Sequence, residues 1–239
     1  MKSKILFFSI LVAAALSSQA ITISQWIFET SPPSDLTDSA TISGIAADFG
    51  IGFASGTHAS SATDWTTPAG NGSANSLNAN NWSVGDYFQF QVSTIGFTGV
   101  SVSYDQTSSS TGPSRFNFAY STDGTAFTTV SANYFINAIS WASGSVNSGS
   151  SLAFNLAPFA SVNNSPTVYF RISEADSSTA SGGTVASTGT SRIDNFTVTG
   201  NAISSVPDSL PLGFTAIFLL GFLAFSHYQL FNPSQKPIL

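Results

Sequence analysis

The sequence predicts an all-β domain built as an antiparallel two-sheet β-sandwich of the jelly-roll type. Three observations predict it. Apolar and polar residues alternate along several short segments, turn-forming residues separate those segments, and no capped amphipathic helix interrupts residues 21–200. Many short antiparallel strands with polar turns are typical of sandwiches in which two apolar sheet faces pack together. We expect one sandwich domain over residues 21–200, between an N-terminal signal peptide and one C-terminal transmembrane helix.

Residues 1–20 have the three parts of a secretory signal peptide. Lys2 and Lys4 form a charged start, residues 5–16 are apolar, and small residues lead to a cleavage site after Ala20. The apolar run is shorter than the ~18 residues expected of a membrane span. The sequence therefore predicts an exported protein.

The strands of the domain are predicted from period-two alternation. In residues 86–92, three apolar side chains share one face and two glutamines share the other. The same pattern predicts strands at 86–92, 100–105, 115–120, 168–172 and 192–198. Asp123 and Gly124 predict a hairpin turn after the third of these, because both residue types accept positive φ. Residues 60–81 and 176–191 are predicted to be long loops.

Charge and cysteine content exclude several classes of function. Residues 21–205 contain no lysine, three arginines and eleven acidic residues, a formal charge of −8. Nucleic-acid binding requires clustered Lys and Arg, so nucleic acid is not an expected partner. The chain has no cysteine, which removes thiol nucleophiles, thiolate metal sites and disulfides.

No catalytic motif is found, so the sequence predicts a non-catalytic protein. His58 is the only histidine of the predicted domain, and no Gly-x-Ser-x-Gly element accompanies it. A glycosidase requires two carboxylates that face each other across a cleft. The acidic residues lie in no recognisable motif, and a secreted carbohydrate-active enzyme with an unrecognised carboxylate pair is the alternative.

Two tryptophans are candidate ligand-binding residues. Trp65 and Trp82 flank a loop rich in Pro, Gly and Asn, where an exposed ring would stack on a neutral sugar. The alternative is that both rings anchor the core, as most tryptophans do.

Calcium is the only cofactor for which the sequence offers candidate ligands. Glu29 near the first strand and Asp194 on the last would meet if those strands are neighbours. Asp194 shares its strand face with Phe196, so it points inward unless a bulge intervenes. We prefer the alternative that Arg171 or Arg192 neutralises Asp194, because no EF-hand-like ligand string is present.

The C-terminal region combines a short motif with an apolar run. Val206, Pro207, Asp208 and Ser209 form the motif in the linker 201–209, and residues 210–225 are almost wholly apolar. Extension to residue 230 gives a transmembrane helix over 210–230. A short tail, 231–239, follows and is expected to be cytoplasmic.

This arrangement resembles the PEP-CTERM sorting signals of bacteria, specifically the Val-Pro-Asp-Ser-Gly subtype. Leu210 stands where the subtype has Gly, and Lys236 is the only lysine after the helix. The resemblance implies processing by a membrane-embedded exosortase in bacteria that make exopolysaccharide. Segments 73–76, 82–87, 106–113 and 191–196 also resemble a domain that such proteins often carry, for which no activity is established.

The sequence therefore predicts a non-catalytic cell-surface or extracellular-matrix protein associated with polysaccharide. It is expected to be exported, anchored in the membrane through the C-terminal helix, and released to the surface or matrix after processing. A calcium-stabilised adhesin domain is the second alternative, beside the secreted enzyme.

Overall fold

The computed structural model describes residues 19–203, which form two antiparallel β-sheets packed face to face. The strands are β1 (Ile21–Trp26), β2 (Thr41–Ala46), β3 (Phe49–Gly50), β4 (Gly52–Thr57), β5 (Trp65–Thr66), β6 (Leu77–Ala79), β7 (Tyr87–Val92), β8 (Phe97–Ser108), β9 (Arg115–Ser121), β10 (Thr128–Phe135), β11 (Ser151–Asn155), β12 (Val168–Glu174) and β13 (Ser191–Ala202). Within these residues, helix is limited to two short 3₁₀ turns, Ser148–Ser150 and Ala160–Val162. The predicted all-β, two-sheet architecture is confirmed.

The strand order brings distant parts of the chain together. Sheet A has the order β11-β8-β13-β1-β3, with β6 beside β13 and β5 beside β6. Sheet B has the order β10-β9-β12-β7-β4-β2. The first and last strands, β1 and β13, are antiparallel neighbours, which is the condition under which Glu29 and Asp194 are expected to meet.

The alternating side chains form one aromatic core between the sheets. In β7, Phe88, Phe90 and Val92 are buried while the residues between them are partly exposed. Phe90 stacks on Phe196 of the opposite sheet, with ring centroids 3.7 Å apart and planes 3° apart. All five predicted strand segments coincide with observed strands, because each has one face in this core.

Trp65 and Trp82 belong to the core and not to the surface. They are 0% and 5% exposed, and their indole N–H groups donate to the carbonyls of Ser39 and Ala79 at 2.8 and 2.9 Å. The expectation that one of them offers an exposed ring is wrong. The ring of Trp65 occupies space that a Cβ on Gly56 would fill, since that atom would lie 2.2 Å away.

Several predicted segments lie outside the described residues. These are most of the signal peptide (1–20), the sorting motif at 206–209, the helix at 210–230 and the tail at 231–239. In the part of the chain that the structure covers, no helix is long and apolar enough to cross a membrane.

Candidate functional site

The outer face of sheet B is the face turned away from the core, and four neighbouring strands contribute its centre. Cross-strand pairing arranges the outward residues of β4, β7, β12 and β9 in rows. The rows are Phe53–Gln91–Tyr169–Ser121, Ser55–Gln89–Arg171–Ala119 and Thr57–Tyr87–Ser173–Asn117. Adjacent strands lie ~4.8 Å apart, so aromatic, amide and guanidinium groups from separate strands form one continuous surface.

Arg171 lies at the centre of this face between two aromatic rings. Its guanidinium carbon is 3.9 Å from the ring centre of Tyr87 and 3.7 Å from that of Phe127. Its Nε and Nη2 donate to Oε1 of Gln89, the cross-strand partner, at 3.1 and 2.7 Å. Burial lowers the pKa of Arg171, but an arginine remains protonated at neutral pH. The positively charged guanidinium of Arg171 is therefore held in a fixed orientation.

The β9–β10 connection positions Phe127 and supports Tyr169. Asp123 accepts hydrogen bonds from the N–H groups of Thr125 and Ala126, both at 2.8 Å, so the predicted Asp-Gly turn is confirmed. Gly124 has φ +76°, and a Cβ there would lie 3.2 Å from the ring of Tyr169. The glycine therefore allows the turn to lie close against that ring.

Phe53 extends the face beyond Tyr169. Its side chain is 52% exposed, and Gln91 on β7 separates it from Tyr169 on β12. Sequence reasoning missed this site, although it assigned Gln89, Gln91, Tyr169 and Arg171 to the solvent side of two predicted strands. The alternation of polar and apolar residues along these two strands is the sequence signal from which the site could have been found.

The calcium candidates lie on β13 of sheet A (Asp194) and in the connection after β1 (Glu29), and both accept hydrogen bonds. The register of β13 shifts between Asp194 and Thr197, and Asn195 has φ +54°, which together mark a β-bulge. Oδ2 of Asp194 accepts from the N–H of Asn71 at 2.9 Å and from the hydroxyl of Ser73 at 2.7 Å. Burial raises the pKa of Asp194 to about 6 against these hydrogen bonds.

Glu29 contacts the same loop without completing a metal site. Its Oε1 accepts from the N–H of Asn75 at 2.9 Å. Across the part of the chain that the structure covers, no group of three or more His, Cys, Asp or Glu residues could hold a metal ion. The preferred arginine partner is also wrong, because Arg171 donates to Gln89 and Arg192 donates to the carbonyl of Ala69.

Asp105, the cross-strand partner of Asp194, completes a buried polar cluster. Its Oδ2 accepts from Nδ2 of Asn71 at 3.0 Å and from Nδ2 of Asn195 at 2.8 Å, and its Oδ1 accepts from Ser151. The N–H of Asn147 donates to Oδ1 of Asn71, which fixes the amide orientation. Amide N–H groups therefore face the carboxylate of Asp105, where a cation would require oxygen atoms. The cluster fastens the loop 69–75 to sheet A.

A second cluster of polar side chains is buried at the end of the core, where β12 ends. His58, Asp86 and Glu174 are 3%, 4% and 2% exposed. Burial lowers the pKa of His58 to about 4, while burial and the nearby charges of Asp86 and Asp176 raise the pKa of Glu174 to about 8. Neither carboxyl oxygen of Glu174 has a hydrogen-bond partner in the described part of the chain. These carboxyls are closed to solvent, whereas a glycosidase pair must face an open cleft.

The described chain is thus a two-sheet β-sandwich with an aromatic and polar outer face. No protein-family model matches the sequence, and no curated protein matches it. Among solved structures, the N-terminal CBM22-1–CBM22-2 tandem domain of Paenibacillus barcinonensis Xyn10C is 12% identical with a TM-score of 0.44. The match covers 83% of this chain and 50% of that one, so this chain spans about half of its length.

Two further solved structures are similar at the same level. TmCBM61, determined in complex with β-1,4-galactotriose, is 10% identical over 72% of this chain and 92% of its own, with a TM-score of 0.36. The K1 cleaved adhesin domain of Lys-gingipain from Porphyromonas gingivalis W83 is 10% identical over 78% of this chain and 99% of its own, with a TM-score of 0.38.

Proposed function

We propose that this protein is a non-catalytic, exported glycan-binding protein that holds polysaccharide on the outer face of sheet B. The observation that supports the proposal is the guanidinium of Arg171, stacked between two aromatic rings and hydrogen-bonded to Gln89. Aromatic faces offer flat apolar area to the C–H side of a sugar ring. Amide and guanidinium groups at fixed positions offer hydrogen bonds to its hydroxyls. Phe53 and Tyr169 extend this combination along the sheet.

The cellular address of the protein is part of the same proposal. The predicted signal peptide supports export, and the motif at 206–209 followed by an apolar run supports processing by an exosortase. The protein would stay in the membrane until that step and then reach the cell surface or matrix. Mass spectrometry of the mature C-terminus tests this part, and intact residues 206–239 in the inner membrane would contradict it.

The arrangement of the carboxylates gives less support to the two alternative functions, a secreted carbohydrate-active enzyme and a calcium-stabilised adhesin. Asp86 and Glu174 are buried, which disfavours an enzyme that acts through them. Asp194 and Asp105 are hydrogen-bonded to amide and hydroxyl donors, which disfavours a calcium-stabilised adhesin centred there.

Replacement of an outward-facing ring on the face, the exposed Phe53 or the partly exposed Tyr169, is expected to weaken glycan binding. Phe53→Ala and Tyr169→Ala should each raise the Kd about fivefold, because each removes one stacking contact worth about 1 kcal/mol. The measurement is affinity electrophoresis of the full-length protein, in mild detergent, through gels that contain a panel of neutral and acidic soluble polysaccharides.

Phe49→Ala is the matched control for these variants. Phe49 is 55% exposed, nearly the same as Phe53, but it lies on β3 of sheet A. The control should migrate like the wild type in every gel. Equal loss of retardation in Phe49→Ala and Phe53→Ala would contradict the proposed site, and absence of retardation of the wild type in every gel would contradict the proposed function.

A further inference from the structure

We infer that the glycan bound by this face carries carboxylate groups, sparsely placed, and that Arg171 binds one of them. This inference rests on the proposed function. Gln89 accepts from only some of the N–H groups of the Arg171 guanidinium. Five N–H groups are present on an arginine side chain. One on Nε and one on Nη2 donate to Oε1 of Gln89, and Nη1 has no hydrogen-bond partner in residues 19–203.

The unused N–H groups have the geometry that a carboxylate requires. With the Nε–Nη2 edge occupied by one oxygen, Nη1 and Nη2 still present adjacent parallel N–H groups at the end of the side chain. Such a pair binds the two oxygens of a carboxylate through two parallel hydrogen bonds. Hydroxyl groups of a neutral sugar would use the same donors without the charge, and therefore more weakly.

The rings of Tyr87 and Phe127 restrict how a ligand reaches this charge. The two ring centres lie 3.9 and 3.7 Å from the guanidinium carbon, and contacts this short leave less room for an acceptor above the guanidinium than at its N–H edge. The rings also displace water from the cation, which strengthens its interaction with an anion. A cation fixed in this way needs little further ordering when the ligand binds.

The charges around Arg171 favour an acidic ligand locally and disfavour a highly charged one. The three rows of outward residues on the central strands include no Asp or Glu, and Arg171 is their only charged member. Arg115, on the same sheet, lies outside these rows and donates to the carbonyl of Asn133. The whole region 21–205 nevertheless has a formal charge of −8. That charge repels a dense polyanion but tolerates a single carboxylate in an otherwise neutral repeat.

Pairs of polysaccharides that differ only in their carboxylates test this inference. The probes are deacylated gellan and xanthan, whose repeats carry few carboxylates, each with its carboxyl-reduced form, and polymannuronate as the dense polyanion. The full-length protein in mild detergent should bind each acidic polymer about tenfold more tightly than its reduced form at low salt. Polymannuronate should bind more weakly than the sparsely charged polymers.

Variants of Arg171 identify the residue responsible. Arg171→Gln should abolish the difference between acidic and reduced polymers, and Arg171→Lys should keep only part of it, because a lysine cannot form two parallel hydrogen bonds. Arg115→Gln makes the same change in net charge and should keep the difference. Thermal unfolding of each variant separates loss of binding from loss of folding.

The possible outcomes separate the two proposals. If the wild type binds reduced and acidic polymers equally, or binds only neutral glycans, the carboxylate inference is overturned while the proposed function stands. The carboxylate inference is also overturned, and the proposed function again stands, if polymannuronate binds as tightly as gellan or if Arg115→Gln and Arg171→Gln have equal effects. Failure to bind any polysaccharide, acidic or neutral, overturns both proposals.

Discussion

A rise in pH from about 6.5 to about 8 is expected to lower the free energy of unfolding by about 1.5 kcal/mol, because Glu174 must lose a buried proton. Its carboxyl is 2% exposed and makes no hydrogen bond with the described residues. Burial, together with the charges of Asp86 and Asp176, raises its pKa to about 8. The measurement is urea unfolding at the two pH values.

The direction follows from the protons bound in each state. Between the ordinary pKa of Glu174, 4.5, and its folded pKa of about 8, the folded chain keeps a proton that the unfolded chain has released. Stability therefore falls by about 1.4 kcal/mol per pH unit in that range. His58 acts in the opposite sense between about 4 and 6.5, because burial lowers its pKa and only the unfolded chain is protonated there. The loss due to Glu174 should thus be clearest above pH 6.5.

Glu174→Gln should remove this pH dependence, because the amide has nothing to titrate. Glu29→Gln is the matched control, since Glu29 is exposed and an amide oxygen can still accept from Asn75. Equal stability of the wild type at pH 6.5 and 8, or an unchanged slope in Glu174→Gln, would contradict the assignment of the buried proton to Glu174.

Alternation in the sequence predicts five strands, whereas β1, β2, β4, β10 and β11 have five to eight residues each and are not predicted from it. In β7, β8 and β12, large apolar residues recur at every second position because one face of each strand packs in the core. Strands β3 and β5 have two residues each, and no period can be recognised over two residues. They lie within segments that the sequence presents as connections.

The position of the tryptophans depends on a contact that the sequence does not record. Trp65 follows a polar stretch and precedes Pro68 and Gly70, which suggests a loop exposed to solvent. Its ring nevertheless fits beside Gly56 on β4, where the missing side chain leaves room. Recognition of that fit requires knowledge of which strand lies under the loop.

The sequence predicts which residues of the candidate site face solvent, but it does not predict that these residues lie next to one another. Alternation assigns Gln89 and Arg171 to the solvent side of their strands, and this is observed. These two residues are 82 positions apart and meet only because β7 and β12 are paired. Phe127 joins them from the turn before β10, which has no periodic pattern of its own. Strand order, and with it the aromatic stack around the arginine, is a tertiary property.

We expect the second large effect on stability from a substitution in the buried polar cluster around Asp105, because this cluster connects the loop 69–75 to two strands of sheet A. Asp105→Ala should lower the free energy of unfolding by about 3–5 kcal/mol in urea unfolding. The substitution leaves the amides of Asn71 and Asn195 and the hydroxyl of Ser151 without the carboxylate that accepts their hydrogen bonds.

Asp35→Ala is the control for this substitution, since Asp35 is exposed and should change stability by less than about 0.5 kcal/mol. Glycan retardation of folded Asp105→Ala should match the wild type, because Asp105 lies on sheet A and the proposed binding face belongs to sheet B. A similar small effect of both substitutions would show that the loop is held by other contacts, such as the bond from Arg192 to the carbonyl of Ala69. Loss of glycan binding in a stably folded Asp105→Ala protein would instead place the ligand on sheet A.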